Sequence, residues 1–109
     1  MDFNEYQAAA RETAIYPSIG NNYIYPLLGL ADETGEVFGK FKKLMRDKDG
    51  IITEEFIEEI KKEIGDICWY ISTLCSELSL SLDDVAVSNI EKLRSRKERG
   101  VLKGSGDNR

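Results

Sequence analysis

The chain has 109 residues, a net charge of −5 and no histidine, with 41% hydrophobic and 32% charged residues. This length predicts one domain, and this balance predicts a soluble, helix-rich protein. No apolar run approaches the roughly 20 residues that span a bilayer, so we expect no membrane partner. The first residues lack the basic and apolar segments of a secretory signal, which predicts a cytoplasmic location. An acidic body with basic residues gathered near the end argues against general nucleic-acid coating.

Hydrophobic spacing and turn residues predict four helices. The first is predicted over 2–15, before a Pro- and Gly-containing break, and the second over 26–45. The third is predicted over 53–80, after a polar turn. The fourth is predicted over 81–100, because a glycine at the end of a helical pattern is a natural stop.

The expected helix starts carry residues suited to those positions. Asp2, Thr53 and Ser81 have side-chain oxygens that can accept a hydrogen bond from a backbone N–H of the first turn. Pro26 suits the start of the second helix, because the N–H group that proline lacks would form no intrahelical hydrogen bond at the first helical position.

Four helices joined by short turns, with no strand-like alternation, predict an all-α four-helix bundle. We expect a single domain over 1–100, followed by a flexible tail over 101–109. The third helix has an apolar seam with alternating three- and four-residue spacing, typical of helices packed nearly in line. The apolar seam consists of Ile57, Ile60, Ile64, Ile67, Ile71, Leu74 and Leu78. It is longer than the core of one small domain needs, which predicts that part of it is buried in an oligomer.

Two acidic pairs lie on neighbouring predicted helices. Glu33 and Glu36 are three residues apart on the second helix, and Glu63 and Asp66 have the same spacing on the third. Residues three apart project from the same helical face, and helices joined by a tight turn run antiparallel. The four carboxylates can therefore face one another. Solvated helices also contain such pairs, so the residues alone allow either a metal site or a charged surface.

An all-oxygen site without histidine suits a hard cation such as Mg²⁺, with Mn²⁺ as a second possibility. Mg²⁺ usually keeps waters and shares phosphate oxygens with a substrate. Lys40 and Lys43 extend the stripe of the first acidic pair, which points to a polyphosphate ligand. Gly35 and Gly65, one inside each acidic pair, predict a close approach of the two helices around a metal, with close packing alone as the alternative.

The fourth helix carries Asn89, Lys92 and Arg96 on one stripe. An amide beside two cations can recognise a base or sugar and hold phosphates. Ordinary surface charges are the alternative interpretation. Trp69 and Tyr70 directly follow the second acidic pair, and such aromatic residues either stack on a base or pack in a helical core.

At these residues the chain resembles the MazG-like family of all-α nucleoside triphosphate pyrophosphohydrolases. The similarity is carried by GLADETGEV at 29–37, which contains the first acidic pair, and by KEIGDICWY at 62–70, which contains the second. This pairing of motifs is fairly specific for the superfamily and does not name a substrate. Further similar segments are 80–82, 89–93, 96–100 and 104–109.

The resemblance implies a Mg²⁺-dependent enzyme that cleaves an NTP or dNTP between its α- and β-phosphates, giving a nucleoside monophosphate and pyrophosphate. Clearing damaged or non-standard nucleotides is one role that such an enzyme could have. The family also implies homodimers or homotetramers with sites near the subunit interface. The implied catalytic metal ligands are Glu33, Glu36, Glu63 and Asp66, and the implied substrate-binding residues are Lys40, Lys43, Asn89, Lys92 and Arg96.

Three other functions fit the same residues. A phosphoribosyl-ATP pyrophosphohydrolase of histidine synthesis would share the fold and the metal chemistry but act on a different nucleotide. A non-catalytic helical interaction protein would leave the acids solvated. A nucleotide-sensing binder would keep the metal site without turnover.

Overall fold

The computed structural model describes residues 1–109 and contains four α-helices and no strand. The predicted all-α class is confirmed. No helix is both long enough and apolar enough to pass through a bilayer. In chain order the helices are α1 (Phe3–Glu12), α2 (Ile24–Asp47), α3 (Glu54–Glu77) and α4 (Leu82–Glu98).

All three predicted N-caps are confirmed by a side-chain hydrogen bond to the first turn. The Asp2 carboxylate accepts from the backbone N–H of residue 5 at 2.8 Å. The Thr53 hydroxyl accepts from the N–H of residue 56 at 3.1 Å, and the Ser81 hydroxyl accepts from that of residue 84 at 3.2 Å. Each bond satisfies a donor that has no partner within its own helix.

The predicted helix ends were less accurate. α1 stops at Glu12, where the Thr13 hydroxyl donates back to a carbonyl oxygen at 2.7 Å. α2 begins two residues before Pro26. α3 stops at Glu77 because Ser79 adopts a positive φ of 56° and the N–H of Leu80 returns to a carbonyl oxygen of the last turn at 2.8 Å. Such a reversal closes a helix C-terminus.

α2 and α3 form an antiparallel hairpin. Its apolar centre lies near the turn, where Leu44 packs with Phe56 and Ile60. The rings of Phe41 and Phe56 meet edge to face with centroids 5.0 Å apart, a favourable aromatic geometry. α1 packs against α3 and α4, so the fourth helix joins the hairpin chiefly through the first.

The single chain leaves most of its apolar side chains uncovered. Only 11 of 109 residues are buried, and the radius of gyration is 17.1 Å, against about 13 Å for a compact domain of this length. The predicted seam on α3 is divided: Ile60 is buried, and Ile67 and Leu74 are half-buried. Its other four members are exposed and recur every seventh residue: Ile57, Ile64, Ile71 and Leu78.

A buried carboxylate anchors the loop between α1 and α2. The Glu77 side chain has no exposed surface and accepts hydrogen bonds from the Tyr16 hydroxyl and the Arg11 guanidinium. The backbone N–H groups of Gly20 and Asn22 also donate to it, at 2.9 and 3.2 Å. Burial alone would raise the pKa of Glu77, but these hydrogen bonds outweigh burial and lower the pKa from 4.5 to about 2.

Residues 101–109 contain no helix or strand and fold back toward the end of α4. The guanidinium of Arg109 donates three hydrogen bonds to backbone carbonyl oxygens within this segment. Arg99 donates to the carbonyl oxygen of Arg109 at 2.8 Å. The flexibility expected for this segment stays a prediction. The carbonyls that Arg109 contacts belong to Val101, Leu102 and Gly106.

We expect Glu77→Gln to lower the free energy of unfolding at pH 7 by about 1–3 kcal/mol, because four hydrogen-bond donors lose a charged acceptor that is itself buried. Since the folded pKa is depressed, wild-type Glu77 contributes its stability above pH 4.5 and loses it as the pH falls toward about 2. Urea unfolding at pH 7 and pH 3, at fixed protein concentration, measures both effects.

The matched control is Glu58→Gln, on the same helix with a side chain that is 67% exposed. It should change the unfolding free energy by less than about 0.5 kcal/mol. A Glu77→Gln protein as stable as this control at pH 7 would contradict the anchoring role.

Candidate active site

Three carboxylates converge between α2 and α3. One oxygen from each of Glu33, Glu63 and Asp66 lies within 4.8 Å of the other two. Glu33 and Glu63 are half-buried and Asp66 is exposed. The two helices run antiparallel, so residues early in α2 lie opposite residues late in α3. This arrangement brings the three carboxylates together. Such a group of oxygen ligands can hold a hard divalent cation.

Glu36, the fourth acid of the predicted set, lies outside this group and is exposed. The α2 face toward α3 follows four- and three-residue steps through Glu33, Val37, Lys40 and Leu44, which are half-buried or buried. A three-residue step rotates a side chain about 60° short of a full turn, so Glu36 points to one side of that face. The structure therefore brings together three of the four predicted ligands.

A lysine neutralises part of the acidic cluster. The Lys40 ammonium lies 3.7 Å from one carboxylate oxygen of Glu63 and 3.7 Å from one of Glu59. Glu59 stands one helical turn before Glu63 on the same face, outside the predicted set of ligands. Because Lys40 is 30% exposed and Glu59 is 58% exposed, solvent screens the Glu59 pair and its contribution to stability is small.

The environment of Glu33 disfavours its ionised form. Burial raises the pKa of Glu33 above its ordinary value, and the negative charges of Asp66, Glu63 and Asp32 raise it further, with a hydrogen bond to Glu63 as a contributing cause. Like charges close together disfavour ionisation of one member. A bound divalent cation would remove that repulsion.

One cleft borders the acidic cluster, and a second lies beyond Lys40 along the hairpin. A cleft of about 320 Å³ is lined by Glu33, Asp66, Trp69 and Tyr70. A larger one, of about 510 Å³, lies toward the α2–α3 turn, and its lining includes both predicted phosphate contacts, Lys40 and Lys43, together with Glu59. The aromatic and cationic surfaces thus lie on opposite sides of the carboxylates along the hairpin.

The predicted close approach at Gly35 and Gly65 is wrong. A Cβ added at either glycine would meet no heavy atom within 4 Å. The close approach is instead at Gly29, where an added Cβ would overlap three ring carbons of Tyr70. The close contact at a glycine therefore lies one turn before Glu33 and not inside either acidic pair.

The predicted stripe on α4 forms its polar contacts with the last residues of the chain and not with the acids. Arg96 is 5% exposed and donates to the backbone carbonyl oxygen of Asp107 at 2.8 Å. One Asp107 carboxylate oxygen lies 3.8 Å from Arg96 and 4.0 Å from Lys92, while Asn89 is exposed. No hydrogen bond or ion pair links Asn89, Lys92 or Arg96 to the acidic cluster.

Comparison with known proteins assigns the chain to a family. The MazG nucleotide pyrophosphohydrolase domain matches residues 25–101. The chain belongs to the MazG family. The match takes in α2, α3 and α4, and with them the acidic cluster and the α4 stripe, and it leaves out α1. MazG proteins are nucleotide pyrophosphohydrolases that typically depend on divalent metals, which agrees with three carboxylates meeting at one point.

One similar protein comes from a bacteriophage. The gene 37 protein of Mycobacterium phage L5 is 46% identical over 114 residues, and the alignment covers the whole of both chains. No solved structure matches the chain.

The grouping of carboxylates predicts unequal effects of substitution on Mg²⁺ binding. We expect Mg²⁺ to raise the thermal stability of the wild type, since a ligand that binds only the folded state stabilises it. Glu33→Gln and Asp66→Asn should each remove most of this Mg²⁺-dependent rise in Tm. Glu36→Gln should retain more of it, because Glu36 lies outside the group of three.

Glu58→Gln is the matched control, because Glu58 is an exposed acid on α3 that does not belong to the group. It should keep the full rise in Tm. If Glu36→Gln and Glu33→Gln lose the same share of the Mg²⁺-dependent rise in Tm, the group of three carboxylates does not determine which acids matter most for Mg²⁺ binding.

Proposed function

We propose that this MazG protein is a Mg²⁺-dependent nucleoside triphosphate pyrophosphohydrolase, which converts an NTP or dNTP to the nucleoside monophosphate and pyrophosphate. The observation that carries the proposal is the convergence of Glu33, Glu63 and Asp66 within 4.8 Å in a member of a nucleotide pyrophosphohydrolase family. A role in clearing damaged nucleotides is part of the proposal.

The donor set fits Mg²⁺. It consists of carboxylate oxygens in a chain without histidine, and hard cations favour oxygen ligands. Glu36, one turn beyond Glu33, would complete the set from the rim. Mn²⁺ has the same ligand preference and is the second choice.

The side chains around the cluster supply the other requirements of phosphoanhydride cleavage. When bound, Mg²⁺ would offset the triphosphate charge and acidify a water. Lys40, now paired with Glu63 at 3.7 Å, would exchange that partner for a phosphate oxygen, and Lys43 lies in the same cleft. Both ammonium groups stabilise the negative charge that develops on pyrophosphate. A carboxylate of the set accepts the proton of the attacking water.

We propose that the functional unit is a homodimer or homotetramer. Four exposed apolar side chains, seven residues apart on α3, match the seam by which helices pack nearly in line. Asn89, Lys92 and Arg96 form no hydrogen bond or ion pair with the acidic cluster of their own chain. In the oligomer, Asn89 and Lys92 are proposed to bind the substrate near the subunit interface. Arg96 is proposed to join them once residues 101–109, which now cover it, move away.

Purified protein incubated with Mg²⁺ and a panel of common and damaged nucleotides should release pyrophosphate. Glu63→Gln should lower kcat by at least about 100-fold while leaving helical content unchanged, because the variant keeps the shape of the side chain and loses its charge. Release of orthophosphate alone, or of nothing from every nucleotide, would overturn the pyrophosphohydrolase assignment. Full activity in Glu63→Gln would remove that residue from the site.

Ile71→Glu should dissociate the oligomer, because a charge in the centre of an apolar seam cannot be paired there. Light scattering after size exclusion should show a smaller species than the wild type and a lower Tm. Ile15→Glu is the control, since Ile15 lies outside the helices and is 90% exposed. A wild type that is monomeric at micromolar concentration would contradict the proposed assembly.

A further inference from the structure

The ring of Tyr70 lies directly against the backbone of α2 at Gly29. A Cβ at position 29 would overlap Cε1, Cδ1 and Cζ of this ring. A glycine inside a helix lowers stability by about 1 kcal/mol relative to alanine, so a compensating contact is expected. At Gly29 that contact is the packing of the Tyr70 ring against the α2 backbone, which only a residue without a Cβ permits.

The other glycines inside α2 and α3 have no such neighbour. Added Cβ atoms at Gly35, Gly39 and Gly65 would meet nothing within 4 Å. Alanine at those positions is compatible with the chain, whereas alanine at position 29 requires the Tyr70 ring to move. Gly29 is therefore the interior glycine whose missing side chain shapes its surroundings.

Neighbouring aromatic residues hold Tyr70 in place. Its ring is tilted against Tyr25, with centroids 6.3 Å apart, and meets Trp69 edge to face at 5.0 Å. Tyr25 in turn stacks on Tyr16 at 4.6 Å. The indole N–H of Trp69 donates to the Thr13 hydroxyl at 2.8 Å, which ties this ring to the end of α1.

Tyr70 and Trp69 form one side of the 320 Å³ cleft whose other side is Glu33 and Asp66. Tyr70 follows Asp66 by four residues, about 6 Å along the helix axis. The acidic side suits a cation and phosphates, and the half-buried rings suit a flat, apolar group. A nucleotide has both parts in this order, with its phosphates and its base joined by the sugar.

We propose that Gly29 is a positioning residue, which seats the Tyr70 ring so that Tyr70 and Trp69 form a stacking wall for the nucleobase of the substrate. The base would stack on the Tyr70 ring, and the Trp69 ring, which stands at 84° to it, would meet the edge of the base. The inference rests on the proposed function, because that function makes a nucleotide the ligand. Aromatic stacking tolerates any base, since each base has a flat π-face. The wall therefore binds the base without choosing among the four.

The experiment compares Gly29→Ala with Gly39→Ala, an interior glycine of the same helix with open space at its Cβ. The fluorescence of Trp69, the chain's one tryptophan, reports binding of the α,β-methylene analogues of ATP, GTP, CTP and UTP. Inorganic tripolyphosphate, which has no base, is the second ligand, measured by competition. Both titrations are made with Mg²⁺ present.

We expect Gly29→Ala to raise the Kd of the nucleotide analogues about tenfold, the size of losing much of one base stack. The Kd of tripolyphosphate should stay within about twofold. Gly39→Ala should change neither. Unchanged nucleotide affinity in Gly29→Ala, or equal weakening for nucleotide and tripolyphosphate, would overturn the proposal, since the second result indicates general damage to the site.

Tyr70→Leu keeps an apolar side chain and removes the ring, which guards against a Gly29→Ala protein that fails to fold. It should raise nucleotide Kd by a similar factor. The double variant should bind no more weakly than Tyr70→Leu alone, because Gly29 acts through the ring. Additive losses in the double variant would contradict that route.

The outcomes separate this inference from the proposed function. A wild type that binds the analogues but releases no pyrophosphate from natural nucleotides would overturn the function and leave the stacking wall. A wild type that releases pyrophosphate, with nucleotide affinity unaffected by Gly29→Ala, would overturn the wall and leave the function.

Discussion

The antiparallel pairing of α2 and α3 is the constraint on which the site depends. Apolar contacts fix the register near the turn, where Leu44 meets Phe56 and Ile60. The seating of Tyr70 against Gly29 fixes it farther along. Between these two contacts, the register holds the carboxylates together despite their mutual repulsion. The helix pair thus uses packing energy to assemble a concentration of negative charge that would not persist in a flexible chain.

The hairpin and most of the acidic cluster could be predicted, because they follow from local rules. A three-residue spacing puts two acids on one helical face, and a short turn sets two helices antiparallel. The same spacing misled in one detail: Glu36 shares a broad face with Glu33 but not the narrower strip that meets α3. Spacing gives the side of a helix, whereas the register of the partner decides which residues on that side make contact.

The remaining features depend on partners distant in sequence, which no local pattern specifies. Glu77 stands in the last turn of α3, where the helix dipole disfavours a negative charge. That position hints at a compensating partner, but its donors come from residues 11–22 of the chain. Similarly, the cost of a helical glycine does not reveal that Tyr70 fills the space at Gly29. Arg96 carries a charge expected at the surface, yet the final residues of the chain bury it.

The exposed seam on α3 has a consequence for how the molecule would respond to a ligand. Ile64 lies between Glu63 and Asp66 in sequence, so the helix that presents the carboxylates on one side presents an uncovered apolar strip on another. Cation binding and subunit assembly would then both involve α3. Thermodynamic linkage is reciprocal: if assembly through the strip changes cation affinity, cation binding must change the strength of assembly by the same factor.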